Sequence, residues 1–253
     1  VLQDSNLHVR LEAVLALADF PATEAGGRAV FEILSDRSNA ADRWIPDAAI
    51  SAAANHSASF LRSLTGSRPM NDRVLQTAVL VANHYARSSE ASGAADLLAR
   101  LKQADQRVVD AVVTGLSQGW RDSTSVKLSD ENDRDLETLL NRLSPGVKGV
   151  LVRLATTWGS EKFEKYASVI SDSLLTNLRD ESRTDAERSA AARQLAEFLS
   201  HDDKVVTQLL DEVSPRTPPN VVTGILESLE LSRAKTLGTQ VVDRLELLTP
   251  AAR

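Results

Sequence analysis

Asp4-Ser-Asn-Leu-His-Val9-Arg10-Leu-Glu-Ala13-Val-Leu-Ala16-Leu17 is the stretch that decides the fold. Its apolar residues recur at steps of three and four behind an aspartate able to cap a helix, which predicts an amphipathic α-helix with a defined start. The same template, an apolar anchor followed four, seven and eight residues on by small or apolar side chains, returns at Trp44 (Ala48, Ser51, Ala52) and Val74 (Ala78, Val81, Ala82). It returns again at Val147 and Val221, with looser copies near Val108 and Glu187. Taken from Val9, successive anchors stand 35, 30, 34, 39, 40 and 34 residues apart. That period is the length of two helices and two short turns.

Between these template helices, the B helices, lie apolar-periodic segments at about 23–35, 57–65, 90–103, 133–143, 161–179, 202–213 and 233–248, which are the A helices. One such pair cannot bury its apolar face alone and must stack on its neighbours. The expectation is therefore an all-α chain, a right-handed α/α superhelix of about seven helix pairs, with residues 1–253 as a single repeat domain. Ser144-Pro145, Thr217-Pro218 and Thr249-Pro250 each set a capping hydroxyl before a proline and are expected to open B helices. Ala13, Ala16, Ala48, Ala52, Ala78, Ala82, Ala155 and Ala191 are expected on inward faces, where small side chains let helices approach closely. Val1-Leu2-Gln3 reads as the tail of an A helix and Thr249-Pro250-Ala-Ala-Arg253 as the first turn of a B helix. Both ends are thus expected to cut the repeat pattern of a longer protein.

Composition agrees with helices. Aromatic residues make up 4%, and Gly (11) and Pro (8) are sparse. A formal net charge of −6 disfavours binding to a phosphate backbone or an anionic lipid surface, so no nucleic-acid partner is expected. No apolar run approaches the roughly 18 residues needed to cross a bilayer, so no membrane insertion is expected. Without cysteine the chain has neither disulfides nor thiolate metal ligands.

Several local patterns invite a chemical reading. Gly115-Leu-Ser117-Gln-Gly119 matches the G-x-S-x-G nucleophile elbow, but an elbow needs a strand before it and a helix after it. The repeat register makes 106–118 a B helix, so Gly119 is read as closing a helix and not as part of a hydrolase site. His56 and His84 recur as Ala54-Asn55-His56 and Ala82-Asn83-His84 at B-helix ends. Equivalent positions on adjacent repeats lie roughly 9–10 Å apart, too far to share one metal ion, so Asn and His are read as closing the helix. Asp122, Asp130, Glu131, Asp133 and Asp135, in or after the long loop 119–132, lack the order of a calcium loop and suit a helix N-terminus. Gly26-Gly27 lacks the Lys and Ser/Thr of a phosphate loop. Trp44, Trp120 and Trp158 are expected to pack between repeats, and Arg10, Arg73, Arg107 and Arg153 to pair with acids of the neighbouring turn. No catalytic, cofactor-binding or metal residue is assigned.

The Asp4, Val9-Arg10, Ala13 block resembles the HEAT signature, which makes the expected superhelix HEAT/armadillo-like. Asp42-Arg-Trp44-Ile-Pro-Asp47-Ala-Ala, Leu151-Val-Arg-Leu-Ala-Thr-Thr-Trp158-Gly-Ser160, Ala190-Ala-Ala-Arg193-Gln-Leu195 and Val213-Ser-Pro215-Arg-Thr-Pro-Pro219 together resemble the HEAT-like region of large exported proteins of planctomycetes and related bacteria. In that family the helical region lies between a sugar-dehydrogenase-like β-propeller and a C-terminal cytochrome c domain with a CxxCH haem site. The resemblance implies a non-catalytic scaffold that connects and orients flanking domains, with haem c held in a flanking domain and no cofactor in this segment. It implies a periplasmic or cell-surface location. The residues alone also admit a free-standing protein-binding solenoid that uses its concave B-helix face.

Overall fold

The computed structural model describes residues 1–65, 70–88, 92–120, 126 and 128–244, and of Pro145 the backbone alone. The described residues are all-helical, with 15 α-helices and no strand. The seven anchors fall on seven helices: α1 (Leu7–Asp19), α4 (Ile45–Asn55), α6 (Asp72–Ala86), α8 (Gln106–Gly119), α10 (Pro145–Thr157), α12 (Asp185–Phe198) and α14 (Pro219–Leu229). Trp44 lies one residue outside, as the N-cap of α4. The intervening helices are α2 (Glu24–Ser35), α5 (Ser57–Ser63), α7 (Ala94–Arg100), α9 (Asp130–Arg142), α11 (Glu161–Arg179), α13 (Asp203–Asp211) and α15 (Leu237–Asp243). A single extra turn, α3 (Arg37–Ala40), has no counterpart in the periodicity, whereas a 3-10 turn, Leu101–Gln103, follows α7 directly and completes the expected segment 90–103.

Two compact units form. The first comprises Val1–Val147 with Leu154–Ser160, and the second Lys148–Arg153 with Glu161–Arg253. In the first unit α1 packs on α4, α4 on α6 and α6 on α8, while α2 packs on α5, α5 on α7 and α7 on α9. B helices stack on B helices and A helices on A helices, the arrangement of an α-solenoid. In the second unit α12 packs on α14 and α13 on α15, around a core that includes Leu195, Val206, Leu209, Val221 and Ile225.

Small residues set the spacing of the B stack. Ala48, Ala52, Ala78, Ala82, Ala155 and Ala191 are buried, whereas Ala13 is half-buried and Ala16 exposed. At α8 the approach is closer still. A Cβ added at Gly115 would lie 2.3 Å from the Val79 carbonyl oxygen, and one at Gly119 would lie 2.1 Å from that of Asn83. Those distances leave room only for hydrogen, so α6 and α8 meet backbone to backbone.

The helix starts use local polar chemistry. Asn6, and not Asp4, caps α1 by accepting from the His8 N–H; Asp4 instead accepts from the Asn6 N–H at 2.9 Å. Thr23, Asn71, Asp105 and Asp202 cap α2, α6, α8 and α13, and reciprocal capping boxes join Ser129 to Asn132 and Thr184 to Glu187. Proline opens α10 at Pro145 without a side-chain cap from Ser144. In α14 the cap is Pro218, and the Thr217 hydroxyl turns back to donate to the Glu212 carbonyl at 2.7 Å. Thr217 thus closes the preceding turn and does not open the helix. Thr249-Pro250 lies outside the described residues.

Candidate functional site

A dense polar construction lies where the α4–α5 corner grips the α1–α2 turn. His56 follows α4 directly and is 1% exposed. Its Nδ1 accepts from the Thr23 backbone N–H at 2.9 Å, so the ring hydrogen resides on Nε2, which donates to the Leu17 carbonyl at 3.1 Å. The Ser59 hydroxyl reaches the Thr23 and His56 carbonyls, each at 2.9 Å, and the Asn55 amide donates to the Phe20 carbonyl. Gly26 makes room for the imidazole: a Cβ there would stand 2.5 Å from His56 Cε1. Gly27 likewise lies against Ser59 and Phe60. The glycine pair therefore admits a side chain and a neighbouring helix.

Two hollows lie along α1 and α2. One, of about 670 Å³, is lined by Val1, Leu2, Arg10, Glu32, Asp36 and Asn39 among others. The Arg10 guanidinium donates through Nη1 to Asn39 at 2.5 Å, while its Nε–H is buried without an acceptor. The Ser38 hydroxyl, followed by the amide hydrogens of Asn39 and Ser38, holds the Asp36 carboxyl below the usual carboxylate range. The other hollow, of about 460 Å³, is apolar and is lined by Leu17, Phe20, Pro21, Ala25 and Ala29.

The remaining candidates are dispersed. Ser117 is a buried residue within α8, so a helix stands where an elbow would need a strand, and Gly115 and Gly119 serve packing against α6. Gly119 is the last helical residue, with ordinary negative φ, and does not close α8 by a left-handed turn; among the described residues that conformation belongs to Gly159 (φ 87°). His56 and His84 are not equivalent: His56 is buried between helices, whereas His84 is exposed in the last turn of α6. Trp120 and Trp158 pack at 5.0 Å between ring centroids, and both indole N–H groups are buried without an acceptor. Trp44 departs from the packing role expected of it. It is 56% exposed, with the Arg43 guanidinium 4.6 Å above its ring.

Asp130, Glu131 and Asp133 occupy the first turn of α9, where the helix dipole favours them; Asp133 also accepts from Ser160 at 2.7 Å, and Asp135 pairs with Lys102 at 2.6 Å. Asp122 lies outside the described residues. Of the arginines, Arg107 pairs with Asp72 of the preceding B helix at 2.5 Å, but Arg73 reaches Gln76 of its own helix. Sequence reasoning missed a further set of inter-repeat pairs: Arg62 with Glu24, Arg179 with Glu212, and Arg244 with Asp211. Their partners stand 33 to 38 residues apart, one repeat, and that spacing is the signal that could have found them.

In His201 the imidazole is held below its ordinary pKa by partial burial and by Arg153 and Arg233. No helix among the described residues is long and apolar enough to cross a membrane. No family model, no curated protein and no solved structure matches the chain.

Proposed function

We propose that the chain is a non-catalytic helical-repeat scaffold that connects and orients domains of a larger protein. One observation carries this reading above the others. The conspicuous polar groups, His56, Asn55, Ser59, Arg10 and Asn39, are spent on joining successive repeats. Such stacking fixes the positions of exposed surfaces and leaves the chemistry to neighbouring domains. The resemblance to exported planctomycete proteins supplies the finer form of the proposal: a periplasmic or cell-surface connector between a dehydrogenase-like propeller and a haem c domain.

The test is a linker exchange in the full-length protein. A flexible Gly/Ser chain of matched span in place of this segment should leave each flanking domain folded and slow transfer between them. Unchanged coupling would sink the reading. On the isolated segment, we expect helical circular dichroism, no Soret band after mixing with haem, and ester hydrolysis no faster than that of Ser117→Ala.

A further inference from the structure

Of the four histidines, His56 alone is buried; His8, His84 and His201 are exposed, although His84 follows the same Ala-Asn pair on α6. Both nitrogens of the buried ring are committed to backbone. Nδ1 accepts from the Thr23 N–H at 2.9 Å and Nε2 lies 3.1 Å from the Leu17 carbonyl oxygen, so the bridge fits one species, the neutral ring with its hydrogen on Nε2. An imidazolium carries a hydrogen on each nitrogen. Its Nδ1–H would point at the Thr23 N–H, hydrogen against hydrogen, and the α1–α2 turn would lose its hold on the corner.

The surroundings offer such a proton no compensation. The ring lies against Gly26, in the space that a Cβ there would need. Charged residues beside its neighbours are Asp19 on α1, Glu24 and Arg28 on α2 and Arg62 on α5. Glu24 and Arg62 pair with each other, Asp19 and Arg28 are exposed, and no carboxylate among the described residues reaches either ring nitrogen. A buried charge without a counter-charge is costly.

We propose that this corner is an acid-released joint: a proton on His56 Nδ1 detaches the α1–α2 turn from the α4–α5 corner and leaves the other joints of the first unit closed. The sign follows from the two states. In the closed joint Nδ1 already accepts the Thr23 hydrogen, whereas in the open joint the ring stands in water, where an imidazole takes a proton below about pH 6.5. The open joint therefore binds more protons. The closed form is complete above that range and loses ground as pH falls, by about tenfold in the equilibrium per pH unit. Carboxyls such as those of Glu187 and Asp203, held below the usual carboxylate range by hydrogen bonds from Thr184 and Thr236, are silent in this window. Such a joint operates whatever domains the chain connects.

The test follows exchange of the Thr23 amide hydrogen by NMR in the complete chain, at about pH 7.5 and about pH 5.5, with each rate divided by the chemical exchange rate at that pH. The opening constant should rise about tenfold at the lower pH, while that of amides within α8 stays unchanged. His56→Gln, which takes up no proton, should abolish the rise. An opening constant equal at both pH values, or the same rise in His56→Gln, overturns the proposal. Glutamine is also a poorer prop for the Thr23 N–H, so nitrogen-15 spectra of the imidazole in the unaltered chain supply the second arm. A neutral ring with its hydrogen on Nε2 is expected wherever the Thr23 amide is protected, and an imidazolium beside a protected amide overturns the proposal.

Discussion

His56 and Gly26 share one volume, and neither makes sense without the other. The imidazole bridges Thr23 and Leu17, and the absent Cβ of Gly26 admits it. His56→Ala should lower stability by roughly 2–4 kcal/mol, since it opens a cavity and strands the Thr23 N–H. Gly26→Ala should cost about 1–3 kcal/mol by overpacking against the ring. In the double variant the alanine methyl meets no ring, so the two losses should fall short of additivity by about 1 kcal/mol or more. Urea denaturation of the four proteins measures this, and strict additivity would show that ring and glycine do not compete. Neither role was legible in the sequence. His56 and His84 sit in the same Asn-His context, and only the corner between α4 and α5 makes one of them buried. Trp44 misled for the same reason: tryptophan type suggests burial, while its position at a helix start leaves it in solvent with Arg43.

Helices were the most legible level, because their signal is local. Seven anchors spaced by 30 to 40 residues located seven B helices, including the looser copies at Val108 and Glu187. Their ends were less legible, since Asn6 competes with Asp4 for one set of amides and the backbone decides which is in reach. Glycine chemistry divides in the same way. Gly115→Ala and Gly119→Ala meet carbonyl oxygens of α6, which cannot rotate aside, so each should cost at least about 1–3 kcal/mol. A Cβ on Gly238, within α15, meets nothing within 4 Å. Gly238→Ala should therefore stabilise by roughly 0.5–1 kcal/mol through helix propensity. Thermal unfolding of the three variants checks the contrast, and equal effects at buried and open glycines would contradict the backbone contact. A contact between the starts of α13 and α15 carries a pH dependence. The Thr236 hydroxyl at 2.7 Å, followed by its N–H at 2.9 Å, holds the Asp203 carboxyl below the usual range. The folded state then binds a proton less readily than the unfolded chain, so this contribution is complete above about pH 4 and is lost as pH falls through the folded pKa. The Tm difference between the parent chain and Asp203→Asn should shrink as the medium is acidified below that range. A difference that grows would reverse the assignment.

For the whole molecule, a periodic sequence specifies neighbours and not boundaries. No shift in composition marks the division near residues 148 to 160, because the residues on either side follow one template. When each helix pair draws its stability from adjacent pairs, a defect should spread to neighbours and fade with distance. Leu209 is fully buried in the core of the second unit, against helices that include α12 and α14. Leu209→Ala should remove about 2–5 kcal/mol there. Amide hydrogen exchange followed by mass spectrometry should then show faster exchange through α12 to α15, with α4, α6 and α8 unchanged. Helices α4 and α6 pack on one another and on α2 and α5, and α8 packs on α6, so the lost methyl groups remove nothing that they touch. Exchange accelerated equally in both sets of helices would mean that the chain opens as one cooperative body, and the nearest-neighbour account would have to be abandoned.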